Sequence, residues 1–127
     1  MAHLPPAPVL IVDDNLETRD VLERILAFKG YHTVTAGDGI DALAYLRGGG
    51  TASIVILDVR MPNMDGMTFQ RALRADARWA SIPVVLFTAY PPSDAEGAVG
   101  ILRKGSADPD FLLALIARAY RAAEGRA

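Results

Sequence analysis

Three uninterrupted apolar runs constrain this chain most: VLIV at Val9–Val12, IVIL at Ile54–Leu57 and VVLF at Val84–Phe87. A strand with one wet face alternates apolar and polar residues. The third-strand run Ile54–Leu57 does not alternate at all, which predicts burial on both faces, as in a parallel sheet covered by helices. Between the runs the period changes. Leu16, Val21, Leu22, Ile25 and Leu26 recur at helical spacing, and Gly30 is placed to stop that helix. His32–Ala36 reads as a second strand. Asp38 is a candidate cap for a helix carried by Ile40, Leu43 and Leu46, which ends in Gly48-Gly49-Gly50.

A third helix is predicted over Met67–Ala75, with Phe69, Ala72 and Leu73 facing the core and Trp79 packing it against the sheet. Strand four ends at Thr88, and a weaker fifth strand covers Ile101–Arg103. Asp108-Pro109 opens the last helix, because proline at the first helical position loses no needed donor. Five strand–helix repeats give the α/β class, with helices on both faces of the sheet. Right-handed crossovers leave few topologies. The expected one is doubly wound and flavodoxin-like, a five-stranded parallel sheet in the order 2-1-3-4-5.

At 127 residues the chain suits one domain, spanning 1–127 with a core of about 8–123. Apolar residues form 51% and charged residues 22%, enough for a buried core. The net charge is −2 with no basic cluster, so neither nucleic acid nor an anionic membrane is expected as a direct partner. With no cysteine, thiol catalysis, Cys-ligated zinc and disulfides are excluded. MAHLPPAPVL is no signal peptide and no apolar run spans a bilayer, so a cytoplasmic location is expected.

Ligands of open α/β sheets sit beyond the carboxyl ends of the strands. Strand one ends in Asp13-Asp14, strand three in Asp58, strand four in Thr88 and strand five in Lys104. Three carboxylates brought together repel and need protons or a cation. Mg²⁺ suits one or two carboxylates, waters and a phosphate oxygen. Asp58, on the middle strand, would be the central group, and a carboxylate there can act as a nucleophile toward phosphorus.

These residues bring a resemblance. VDDN after strand one, LDVRMPNMDG around strand three, FTAY after strand four and LRKG after strand five are similar to the receiver (CheY-like) domain of bacterial two-component response regulators, over about Val9–Ala123. The resemblance implies that Asp58 accepts a phosphoryl group from a sensor histidine kinase or phosphotransfer protein. It implies Mg²⁺ held by Asp13, Asp14, Asp58 and the main-chain carbonyl of Arg60. Thr88 would hydrogen-bond the phosphoryl group and Lys104 would pair with it. Arg60 and Tyr90 occupy positions where family members tune phosphate lifetime.

Two departures stand out. The family usually carries proline after the lysine, often on a cis peptide bond, whereas here Gly105 follows Lys104. Receivers also place a fourth helix between strands four and five. Here AYPPSDAEGAVGILR holds Pro91, Pro92, Gly97 and Gly100. Ser93 and Glu96 match a capping box, so the expectation is a fourth helix absent or reduced to about one turn. Ile101 stands where an aromatic commonly changes rotamer on activation. The output surface is therefore expected to be atypical.

Three functions are weighed. The first is a phospho-accepting switch, not an enzyme, with no output domain after the short tail RAAEGRA and acting as a monomer or weak dimer on an unknown downstream protein. The second is a phosphorylation-independent interaction module (a pseudo-receiver). The third, a small phosphatase or nucleotide enzyme, is disfavoured because Arg60 stands where aspartate-nucleophile phosphatases place a second acid, and no phosphate-binding glycine motif follows strand one.

Overall fold

The computed structural model describes residues 7–105 and 108–125. Residues 1–6 and the end of the RAAEGRA tail lie outside that description. The elements run β1 Val9–Val12, α1 Leu16–Phe28, β2 Thr33–Ala36, α2 Gly39–Arg47, β3 Ile54–Leu57, α3 Gly66–Ala75, β4 Val84–Thr88, β5 Gly100–Arg103 and α4 Pro109–Gly125. All strand pairs are parallel and the order is β2-β1-β3-β4-β5, as the sequence predicts.

The apolar runs explain the layering. Every residue of β1 and β3 is buried. Alternate residues feed opposite faces. Leu10, Val12, Val55, Leu57, Val84 and Leu86 pack with Leu43 and Leu46 of α2 and Phe69 and Leu73 of α3. Val9, Ile11, Ile54, Ile56 and Val85 pack with Leu22 and Leu26 of α1 and Leu112 and Ile116 of α4. Trp79 joins the first cluster, with residues of α3 and of the sheet, as expected.

The helix starts follow sequence chemistry. Asn15, Asp38 and Asp65 each accept a backbone N–H from within the first turn of α1, α2 and α3. Asp108 does the same for α4 by accepting from Asp110 N–H at 2.9 Å.

No helix connects β4 and β5. Residues 89–99 run as bends with one turn at Glu96-Gly97. The Ser93/Glu96 capping box does not form. Glu96 adopts a positive φ of 48°, incompatible with a helix start, and its N–H donates to Asp94 Oδ1 at 2.8 Å. Its carboxylate is held elsewhere, by a bidentate pair with Arg71 at 2.9 Å on both arms.

A strap without a helix closes few of its own hydrogen bonds, here Ala98 N–H to the Ala95 carbonyl at 3.0 Å, and α3 supplies further donors. Gly66, Phe69, Gln70 and Leu73 form the inward stripe of α3. Gln70, only 1% exposed, is therefore an amide on a core-facing position. Its Nε2 donates to the carbonyls of Ala95 at 2.8 Å and Glu96 at 2.6 Å. Arg74 binds the carbonyls of Ala80 and Ile82 and reaches that of Gly97 at 3.5 Å. The strap is thus clasped to α3.

The clasp predicts a specific failure. Gln70→Leu keeps the volume but removes the donor. The Ala95 carbonyl retains the Ala98 N–H at 3.0 Å, while the Glu96 carbonyl loses its partner, a loss of about 1–3 kcal/mol in chemical denaturation. Amide exchange should accelerate within residues 89–100. Unchanged exchange there would show that the amide does not fasten the strap.

Candidate functional site

Register places the acids. Val12 pairs with Leu57, so Asp13 and Asp58 leave adjacent strands at the same level. The ladder continues one step, with Asp58 N–H donating to the Val12 carbonyl at 2.9 Å. On the far side Thr88 pairs with Arg103, and Lys104 N–H donates to the Thr88 carbonyl at 2.9 Å. Four strand ends thereby converge, as the sequence predicts.

Asp13, Asp14 and Asp58 each present a carboxylate oxygen within 4.8 Å of the others. Asp13 and Asp58 are buried and Asp14 is exposed. Lys104 bridges the two buried acids, with Nζ 2.7 Å from Asp13 Oδ2 and 3.0 Å from Asp58 Oδ2. Burial pushes the Asp13 carboxyl above its usual range. The Asp58 charge adds to that, while the Lys104 and Asn15 hydrogen bonds pull it back. For Lys104, burial lowers the pKa, but the bonds and attraction to Asp13 and Asp58 outweigh it and raise the net value.

The remaining contacts fix orientation. Asp58 Oδ1 accepts Val59 N–H at 2.7 Å, leaving Oδ2 toward Lys104. Asp13 Oδ1 accepts Asn15 N–H at 2.9 Å, and Arg19 donates to the Asp13 carbonyl at 2.6 Å. Thr88 is fully buried, and its Oγ accepts Tyr90 N–H at 3.0 Å, so its own hydrogen is left to donate.

Two glycines permit this geometry. A Cβ on Gly66 would lie 2.0 Å from the Asp58 carbonyl oxygen, so the chain can turn back on itself only at glycine. Gly105 has φ +84°, which proline, locked near −65°, cannot adopt. The backbone at Gly105 is thus one that proline there could not take, and Lys104 still reaches both acids.

Sequence reasoning missed several contacts. The Arg60 guanidinium stacks over the Tyr90 ring, 3.8 Å from its centroid, linking the loop after Asp58 to the strap. The Asp38 carboxylate accepts from the Asn63 amide at 2.7 Å. The Gln70 clasp was foreshadowed only by a polar residue at core spacing in α3. The three carboxylates offer an oxygen-only donor set that fits a hard divalent cation, with the Lys104 ammonium beside it.

Comparison with known proteins gives the same direction. The response regulator receiver domain family matches residues 9–116. Response regulator MprA of Mycobacterium sp. (strain KMS) is 37% identical over 84 residues, covering 66% of this chain and 35% of MprA. The chain thus spans about a third of the length of such curated relatives. Response regulator TrrA of Thermotoga maritima, solved in complex with Mg²⁺-BeF, superposes with a TM-score of 0.78 at 28% identity, covering 89% of this chain and 98% of TrrA. Chemotaxis protein CheY4 of Vibrio cholerae gives 0.79 at 32% identity, with 90% and 98% covered. Among the described residues, no helix is long and apolar enough to cross a membrane. Fold, strand-end acids and family match converge: the chain belongs to the response regulator receiver domain family.

Proposed function

We propose that this chain is a phospho-accepting switch in which Asp58 takes a phosphoryl group from the phosphohistidine of a kinase or phosphotransfer protein. The observation that carries the reading is the Lys104 bridge beside three converging acids. Asp58 Oδ attacks phosphorus, the P–N bond breaks, and the imidazole leaves with the electron pair and takes up a proton. The Lys104 ammonium and the Thr88 hydroxyl stabilise charge on the equatorial oxygens. Asp13, Asp14, Asp58 and the Arg60 carbonyl would hold Mg²⁺, which supplies further neutralisation of that charge. The same cation accompanies the beryllofluoride in the TrrA structure. In this reading any loss of phosphate resets the switch and is not substrate turnover.

Output is proposed to run through the strap 89–100 and α3, supported by the Arg60–Tyr90 stack at one end and the Gln70 clasp at the other. The competing interaction module would use the same clasped strap constitutively.

Incubation with Mg²⁺ and acetyl phosphate should add one phosphoryl group by intact mass, and Asp58→Asn should abolish it. Beryllofluoride with Mg²⁺ should alter amide exchange in 89–100. No Mg²⁺-dependent change in either measurement favours the interaction module.

Mg²⁺ binding requires ionised Asp13, whose pKa lies above 3.8. Apparent Mg²⁺ affinity, measured by titration calorimetry, should fall as pH drops through that raised value, with proton release on binding. A pH-independent affinity would remove Asp13 from the ligand set.

Lys104→Met in EDTA leaves the acids uncompensated. The Asp13 carboxyl, already raised by burial, then rises further above its unfolded value, so the folded state holds that proton more tightly and loses stability as pH rises. The expected deficit is roughly 1–3 kcal/mol at neutral pH, since Lys104 is only partly buried, shrinking toward pH 4. A deficit equal at both pH values would contradict the charge argument.

A further inference from the structure

Asp38 uses both of its carboxylate oxygens. Oδ1 accepts Asp41 N–H at 2.8 Å and caps α2. Oδ2 accepts the Asn63 side-chain amide at 2.7 Å. A helix cap requires only one oxygen, and serine serves as well. The second bond is surplus to capping, and it reaches the loop that leaves Asp58.

That loop, residues 59–65, is held by packing of Val59, Met61 and Met64 against the core, by the Arg60–Tyr90 stack and by the Asp65 cap. Of these, none reaches the turn before α2 through a side-chain hydrogen bond as Asn63 does. Asn63 holds a left-handed φ of 67°. Met64 N–H closes onto the Pro62 carbonyl at 2.7 Å, and Gly66 N–H onto the Val59 carbonyl at 2.8 Å. Outside the loop, Gly39 N–H donates to the Met64 carbonyl at 3.3 Å, next to the Asp38–Asn63 bond. On its other side the same turn receives Asp13 N–H on the Ala36 carbonyl at 3.1 Å. Residues 36–39 therefore touch both acid-bearing loops, the one after β1 and the one after β3.

We propose that Asp38 is a positioning residue for the cation site. Strand register already sets Asp58 beside Asp13, and the Asp38–Asn63 bond holds the loop that follows, with the Arg60 carbonyl, at a fixed separation from Asp13 and Asp14. The inference rests on the Mg²⁺ reading above. Metal affinity depends steeply on ligand placement, and loss of a group that orients the ligands typically costs about 10–100-fold.

The test is Mg²⁺ titration calorimetry on the full chain with three variants. Asp38→Ser keeps a capping oxygen and loses the Asn63 bond. Asn63→Gly keeps the positive φ without strain and deletes the amide. The double variant removes the same bond from both ends. Each single change should weaken Mg²⁺ about tenfold while the thermal midpoint stays near wild type. The double variant should be no weaker than the weaker single, because one interaction is lost once.

Single variants that bind Mg²⁺ as wild type does would overturn the role of Asp38 and leave the cation site standing. Losses that add in the double variant would also overturn it, since the two residues would then act separately. No Mg²⁺ heat from the wild type itself would overturn both the cation reading and the inference. Should Asp38→Ser fold poorly, Asn63→Gly, which leaves every helix cap intact, decides the matter.

Discussion

The structure is organised around a repulsion. Parallel register forces Asp13 and Asp58 to leave neighbouring strands side by side, and Asp14 joins them. Two of the three are buried, so solvent cannot screen them fully. One ammonium, Lys104, stands against three carboxylates, which leaves the cluster net negative. The molecule is built so that this imbalance persists. β5 pairs with β4 to bring Lys104 to the sheet edge, and Gly105 turns the chain away without displacing it. Excess negative charge and oxygen donors are what the proposed cation, and with it the proposed phosphoryl transfer, would require.

Much of this was legible in sequence for a physical reason. β1 and β3 are buried on both faces, so their sequences carry no polar interruption, and their bounds match the apolar runs. β2 and β5 are edge strands with mixed exposure, and their starts differ by one residue from expectation. The acids were legible because they follow strand ends directly, where topology alone assigns them to one edge.

The missed features share a different cause. Asp38–Asn63, Arg60–Tyr90 and Gln70 with Ala95 and Glu96 all join residues distant in sequence, each with a loop residue as partner. Two of those loops depend on non-glycine residues at positive φ, Asn63 and Glu96, which no hydrophobic period reveals. The capping-box pattern at Ser93 and Glu96 misled for the same reason. Pattern matching sees a carboxylate three residues on, but cannot see that Arg71 captures it.

Loss of a helix between β4 and β5 alters how the site is wired. A helix closes its own hydrogen bonds and can shift as a rigid unit. An irregular strap must borrow donors, and here it borrows them from α3, placing a buried amide on a face otherwise formed by Phe69 and Leu73. The strap is also tied beside Asp58, because Tyr90 lies under the Arg60 guanidinium. A charge added at Asp58 would attract that guanidinium and weaken its hold on Tyr90. The next fixed points along the strap are the carbonyls held by Gln70, so the displacement is directed onto α3. Ile101 stands on β5 in place of an aromatic, so the proposed output would run along this strap.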